Sequence, residues 1–175
     1  MEIVRVVTGT LDENCYVLKI DDKCLLIDPG ADADKIKEAM GEAKLLGILV
    51  THSHFDHVGA LREFLKNNRR LMVYKKSNLQ DLVEKEIGPF KFKCYYTPGH
   101  SSDSVSFYFK EENVLFAGDF IFKGTIGRTD LPTGSSTDMQ KSLEKLKEFA
   151  DTTKIYSGHG ELTTLEEERK NNPYL

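Results

Sequence analysis

The 175-residue chain is short of cysteine, and its three, Cys15, Cys24 and Cys94, form no C-x-x-C pair. That odd count excludes a disulfide framework and lends no support to a thiolate zinc site, so buried apolar thiols are expected. No apolar run approaches the span of a bilayer, and Met1-Glu2-Ile3-Val4-Arg5 lacks the basic start and apolar stretch of a signal peptide. A cytoplasmic protein with no membrane association is the expectation. Long Lys/Arg runs are absent too, and the formal net charge of -4 argues against a dedicated nucleic-acid binder. The densest basic spots, Arg69-Arg70 and Lys75-Lys76, read as solvated surface. Neither end carries a Pro/Gly/Ser-rich tail, and there is no linker, repeat or low-complexity segment. One domain over residues 1–175 is therefore expected, large enough to bury a core without disulfides or a structural metal.

What is present alternates strands and helices. Residues 3–7, 15–20 and 24–27 are rich in β-branched and apolar types and read as an opening β meander, ended by Asp28-Pro29-Gly30. Residues 34–40 place Ile36, Ala39 and Met40 at helical spacing before Gly41. Residues 45–50 form a nearly continuous apolar strand, and residues 58–65 place Val58, Leu61 and Leu65 on one helical face. The block 51–57 between them is a strand-to-helix loop. In the second half, strands are expected at 71–74, 92–96, 105–109, 114–117 and 154–156, with helices at 78–86, 137–149 and 165–170. Strands outnumber the helices between them, so the fold class is mixed α/β and α+β. Two stacked sheets, not purely parallel, are expected with helices on their outer faces.

The block Thr51-His52-Ser53-His54-Phe55-Asp56-His57 packs three imidazoles and a carboxylate directly after a buried strand. Imidazole nitrogen suits zinc, iron and related ions, and aspartate supplies an oxygen ligand. The alternation His-x-His-x-Asp-His sends neighbours to opposite sides of a short loop, so two adjacent metals can be served. His100 follows Thr97-Pro98-Gly99, and His159 sits in Ser157-Gly158-His159-Gly160, each after a predicted strand. Asp119 follows Gly118 at the end of another strand, where a carboxylate can bridge two cations. All five histidines fall in these three loops, which is not how incidental histidines distribute.

In the order Asn14-Cys15-Tyr16, Asp28-Pro29-Gly30, His-x-His-x-Asp-His, Thr-Pro-Gly-His, Gly-Asp and Gly-His-Gly, the chain resembles the metallo-β-lactamase superfamily and, within it, the short glyoxalase II-like hydrolases. The resemblance spans nearly the whole chain. It implies a four-layer αββα sandwich with the site at one edge, metal one on His52, His54 and His100, and metal two on Asp56, His57 and His159. Asp119 would bridge both. Two divalent ions are implied, zinc first, with iron or manganese as alternatives.

The expected reaction is attack on a thioester or ester carbonyl, such as that of a hydroxyacylglutathione-type small molecule, by hydroxide available at neutral pH between the two cations. Asp56 is the expected catalytic residue, ligating a metal and orienting the attacking oxygen. Cys15 and Cys94 lie on predicted strands away from the histidine loops, so no Cys-His mechanism is expected. Three other readings stand beside this one: a mononuclear-iron persulfide dioxygenase, which shares Gly127-Arg128-Thr129-Asp130 with the glyoxalase II-like group; a phosphodiesterase or nuclease of the same fold; and a metal-binding protein without turnover. Antibiotic hydrolysis is not expected, because β-lactamases of this fold are exported and usually lack the aspartate bridge. Arg128 and Asp130 read as a glycine-started surface turn with a local ion pair, weighed evenly against a supporting role behind the ligands. Full-length glyoxalase II enzymes carry a C-terminal helical domain for glutathione, whereas only Glu161 to Leu175 follow the Gly158-His159-Gly160 motif here. Phe120 stands after the bridging aspartate where threonine is common in the family.

Overall fold

The computed structural model describes residues 1–66, 68 and 70–175, so the surface reading of Arg69 lies outside the described residues. The chain opens with β1 (Glu2–Thr8), β2 (Glu13–Ile20) and β3 (Lys23–Ile27), paired antiparallel in sequence order. Helix α1 (Ala33–Met40) then crosses over to β4 (Lys44–Leu49), which lies parallel to β3. Two short helices follow, α2 (Phe55–Val58) and α3 (Leu61–Leu65), before β5 (Met72–Tyr74) completes a five-stranded sheet in the order β1-β2-β3-β4-β5. The single helix expected over 58–65 is thus broken. Gly59 packs against Gly30, where an added Cβ would come within 2.4 Å of the Gly30 carbonyl oxygen, and the Ala60 amide donates to the Pro29 carbonyl instead of to the helix.

The second sheet begins with β6 (Glu84–Ile87), β7 (Phe90–Tyr96), β8 (Val105–Phe109) and β9 (Val114–Gly118), each antiparallel to the next. A small hairpin, β10 (Ile121–Phe122) with β11 (Thr125–Ile126), leads to α4 (Ser136–Glu144), continued by a 3-10 turn at Lys145–Glu148. Ser135 caps α4, its hydroxyl accepting from the Asp138 amide at 3.1 Å. Strand β12 (Lys154–Ser157) then inserts parallel to β9, and β13 (Thr163–Thr164) with α5 (Leu165–Asn171) closes the fold.

The helix expected over 78–86 is corrected: one 3-10 turn at Lys76–Asn78 gives way to edge strand β6. The Asp81 carboxylate accepts from the Tyr96 amide at 2.6 Å and from Lys145 Nζ at 3.0 Å, Leu82 takes a positive φ of 62°, and Gly88 turns the chain back into β7. Sheet pairing overrides local helical spacing here, and the alternating Glu and Lys of β6 suit an exposed sheet edge. Lys76 is not simply solvated either, since its Nζ donates to the Ser102 carbonyl at 2.6 Å and lies 4.9 Å from the Tyr96 ring centre.

The layers follow from side-chain alternation. Along β2, Tyr16 and Leu18 face the second sheet and meet Phe92, Phe107 and Phe116, whereas Cys15 and Val17 face Ile36 of α1 and Phe64 of α3. The other face of the second sheet, with Leu115, Ala117 and Ile155, packs on Met139 and Leu143 of α4 and Leu165 of α5. The arrangement is the expected αββα sandwich, and strands covered on both faces explain the continuous apolar runs of the sequence. The three cysteines are free and buried. Among the described residues, no helix is long and apolar enough to cross a membrane.

Phe107 is fully buried between the sheets, with its ring edge-on to Phe92. Phe107→Ala is expected to cost about 3–5 kcal/mol of unfolding free energy in a denaturant titration. A loss under about 1 kcal/mol would mean that this layer is not a close-packed core.

Candidate metal centre

Strand ends bring the sequence candidates together. The end of β4 delivers Thr51 and His52, and Asp56 and His57 lie within the four-residue helix α2 and not on the loop expected over 51–57. His100 lies in the connection from β7 to β8, Asp119 directly after β9, and His159 directly after β12. All seven predicted residues meet at one edge of the sandwich. His52, His54 and His100 offer ligand atoms within 4.8 Å of one another, as do Asp56, His57 and His159. Asp119 lies between the two sets, Oδ1 3.3 Å from His57 Nε2 and Oδ2 3.4 Å from His100 Nε2 and 3.7 Å from His159 Nε2.

The donor set fits divalent metals on two grounds. In the first set, His54 Nδ1 is 3.0 Å from His52 Nε2 and 2.9 Å from His100 Nε2. Those separations are close to the edge of about 3.3 Å for a tetrahedron with metal–nitrogen bonds of about 2.0–2.1 Å. In the second, His57 Nε2 and Asp119 Oδ1 are buried and have no hydrogen-bond partner among the described residues. Buried polar atoms are rarely left unpaired, and a cation between these two satisfies both.

The Nδ1 atoms of His52, His57, His100 and His159 each have a partner. His57 Nδ1 lies 3.0 Å from Asp28 Oδ2, His100 Nδ1 donates to the Arg128 carbonyl at 2.8 Å, and His159 Nδ1 donates to the Leu11 carbonyl at 3.0 Å. His52 Nδ1 is 3.1 Å from Thr51 Oγ1, and that hydroxyl donates to Asp28 Oδ2 at 2.5 Å. Such contacts fix the tautomer and the ring plane of a ligand. Arg128 therefore serves the site through its backbone, while its exposed guanidinium pairs with Asp130 at 2.7 Å. Gly127 permits this approach, because an added Cβ would fall 1.8 Å from the Asp119 carbonyl oxygen.

Electrostatics match this assignment. Burial first, then the neighbouring His57, pushes the His52 imidazole down to about 2, leaving it neutral with a free lone pair. Burial opposes ionisation of Asp119, but the adjacent His57 outweighs it and holds the carboxyl well below the usual carboxylate range. Burial likewise works against a charged His57, and Asp119 and Asp28 outweigh it to raise that imidazole. Proton and metal thus compete for His57 Nε2.

Two supporting acids carried no signal in sequence beyond the motif around them. Asp28, 2% exposed, uses its carboxylate for the Thr51 amide at 2.7 Å, the Thr51 hydroxyl and His57. Asp28, His52 and His57 also cluster closely enough to hold an ion, but these three commitments make Asp28 a brace behind the candidate ligands. Buried Glu13 accepts from Thr8 Oγ1 at 2.7 Å, while its Oε1 stands 3.9 Å from His57 Nδ1 with no hydrogen-bond partner among the described residues. Burial, reinforced by Asp28, lifts Glu13 to about 9, so it is neutral at pH 7. Phe120 is buried in the core cluster that includes Ile121, Met139 of α4 and Leu165 of α5.

A family model, the metallo-beta-lactamase superfamily, matches residues 8–69 and 75–159. A probable metallo-hydrolase of Bacillus subtilis is 36% identical, with 98% of this chain aligned to 96% of that one. The hydroxyacylglutathione hydrolase GloC of Haemophilus influenzae is 29% identical, covering 100% of this chain and 98% of its own. Among solved structures, the BLEG-1 B3 metallo-beta-lactamase superposes with a TM-score of 0.93 at 33% identity over 99% of both chains. TTHA1623 in a di-iron-bound form gives 0.87 at 31% identity over 98% of this chain and 100% of its own. ETHE1 from Myxococcus xanthus gives 0.87 at 27% identity over 99% and 84%. The chain belongs to the metallo-beta-lactamase superfamily. It is a hydrolase of a fold that binds divalent metals, with its candidate ligands in these His/Asp clusters.

Asp28→Ala removes the partner of His57 Nδ1 and is expected to weaken metal binding by about 10–100-fold in competition with a chromophoric chelator. An affinity within about twofold of wild type, in a variant folded by circular dichroism, contradicts the bracing role.

Proposed function

We propose that residues 1–175 act as one catalytic domain that hydrolyses a small-molecule thioester of the hydroxyacylglutathione type, using two divalent ions, zinc first among the candidates. The observation that carries the reading is the pair of three-residue ligand clusters with Asp119 between them, each set leaving positions open for water and substrate. His52, His54 and His100 would hold one ion, and Asp56, His57 and His159 the other. When bound, the ions supply Lewis acidity, making water a competent nucleophile at neutral pH and taking up charge from the carbonyl oxygen. The full-length match to a hydroxyacylglutathione hydrolase supports a thioester as substrate.

The chain's own residues supply the positioning. Asp119 sets the spacing of the two halves, with one oxygen toward His57 and the other toward His100 and His159. Asp56 Oδ2 stands 3.2 Å from His159 Nε2 and orients the attacking water by accepting its hydrogen bond. Asp28 and the carbonyls of Leu11 and Arg128 keep three imidazoles in place, so little reorganisation is needed as charge develops on the substrate.

A second reading has its own support. The match to a B3 metallo-beta-lactamase over 99% of both chains favours a β-lactam amide as an alternative substrate, against the expectation drawn from sequence. Parallel assays on a small thioester and a chromogenic cephalosporin separate the two. Oxygen consumption with a glutathione persulfide, with thioesters left intact, would move the activity to the dioxygenase branch.

Asp56→Asn nearly preserves shape but removes the negative charge, and thioester kcat is expected to fall about 100-fold or more. Near-wild-type turnover with metal content unchanged would rule out this role for Asp56. Chelation is expected to abolish turnover and leave the circular dichroism spectrum in place, because the packed core does not depend on the metal. A chain that unfolds on chelation would instead mark the site as structural.

A further inference from the structure

Beside the candidate centre lies a groove of 540 Å3 between the β1–β2 turn, the Gly30–Ala33 segment and α2. Its walls include Leu11, Ala31, Ala33, Phe55 and Ala60, and Asp56 of the second ligand cluster also lines it. Phe55 is 74% exposed and Leu11 51% exposed, although both belong to elements held in place by the site. The Leu11 carbonyl takes the His159 Nδ1 proton, Gly9 donates to Asp32 at 3.2 Å, and Ala31 donates to Thr8 at 3.1 Å. The groove is therefore preformed, and its size suits a small organic group.

Its charge is as informative as its shape. The ionisable lining residues are Asp32, Asp56 and Glu63, and none of the described lining residues is Lys or Arg. Lys35 is engaged by Asp32 at 2.7 Å, and Lys37 by Asp34 at 3.2 Å and Glu63 at 3.5 Å. A carboxylate placed here loses water and finds acids in place of a cationic partner, whereas an uncharged alkyl or aryl group covers exposed apolar wall. The thiolate that develops on the other side of the scissile bond is an anion, and here it would meet the same acids with no cationic residue among the described lining residues.

We propose that this groove is the subsite for the acyl arm of the substrate and selects an uncharged, apolar acyl group over a carboxylate-bearing one. The inference rests on the thioester reading for the identity of the arm. Leu11 and Phe55 are its specificity-determining residues.

The test uses metal-loaded protein and thioesters of one uncharged thiol, N-acetylcysteamine, with hexanoyl or adipoyl as the acyl group. Hexanoyl is expected to exceed adipoyl in kcat/KM by about 10-fold or more, and Leu11→Lys to bring the ratio within about 3-fold. A binding readout stands apart from turnover. The chain has no tryptophan, so Phe55→Trp installs a single reporter at the groove mouth, to be titrated with N-methylhexanamide. Saturable emission change, weakened when Leu11→Lys is added, supports the groove. Adipoyl turned over as well as hexanoyl by the wild type, or an emission that never saturates, overturns it. If the amide saturates the reporter in a Leu11-dependent way while no thioester is hydrolysed, the apolar subsite stands and the thioester reading falls.

Discussion

The Asp28 carboxylate, buried at the end of β3, accepts from both the amide and the hydroxyl of Thr51 at the end of β4 and faces His57 Nδ1. A buried carboxylate without partners costs several kcal/mol, so this group is stable only where all its contacts form together. Forming them locks two neighbouring parallel strand ends to one imidazole. His52 follows Thr51 in the chain and shares its hydroxyl, so the same lock orients a histidine of the other cluster. Backbone carbonyls of Leu11 and Arg128 do the equivalent for His159 and His100. The centre is thereby built on main chain and buried side chains, which move little, and not on long exposed ones.

The second sheet repeats the device. Its parallel pair, β9 with β12, ends at the same edge as β3 and β4, and the Gly158 amide donates to the Gly118 carbonyl at 2.8 Å, which sets Asp119 beside His159. Stitches cross from the first sheet to the second. The Asn14 amide donates to the Gly158 carbonyl, its side chain to the carbonyls of Ser157 and Gly160, and the Tyr16 hydroxyl to Ser157. Such a concentration of buried polar groups is costly unless paired, and the aromatic layer of Phe92, Phe107, Phe109 and Phe116 between the sheets helps to offset it.

Much of this was legible in sequence, for a physical reason. Metal-ligand chemistry is restricted to a few residue types, so five histidines gathered in three loops stand out, and strands covered on both faces leave unbroken apolar runs. Supporting groups were harder to see. Asp28 reads as the start of a turn until β3 and β4 are known to end side by side, and Glu13 is not singled out until Thr8 and His57 are known to enclose it. Arg128 could not be assigned from its side chain, because the contribution is its carbonyl. Local spacing also misread 78–86, where pairing with β7 decides the conformation, and 58–65, where the close approach of Gly30 interrupts the helix.

The proposed reaction rests on two ions being held together by the paired His/Asp clusters at one end of a stiff sandwich. The direct measurement is the metal content of the purified chain after dialysis against excess zinc, iron or manganese, read by elemental analysis against protein concentration. The account predicts about two ions per chain, since both three-residue clusters and Asp119 between them are complete. A content that stays near one ion per chain under excess of every metal contradicts it.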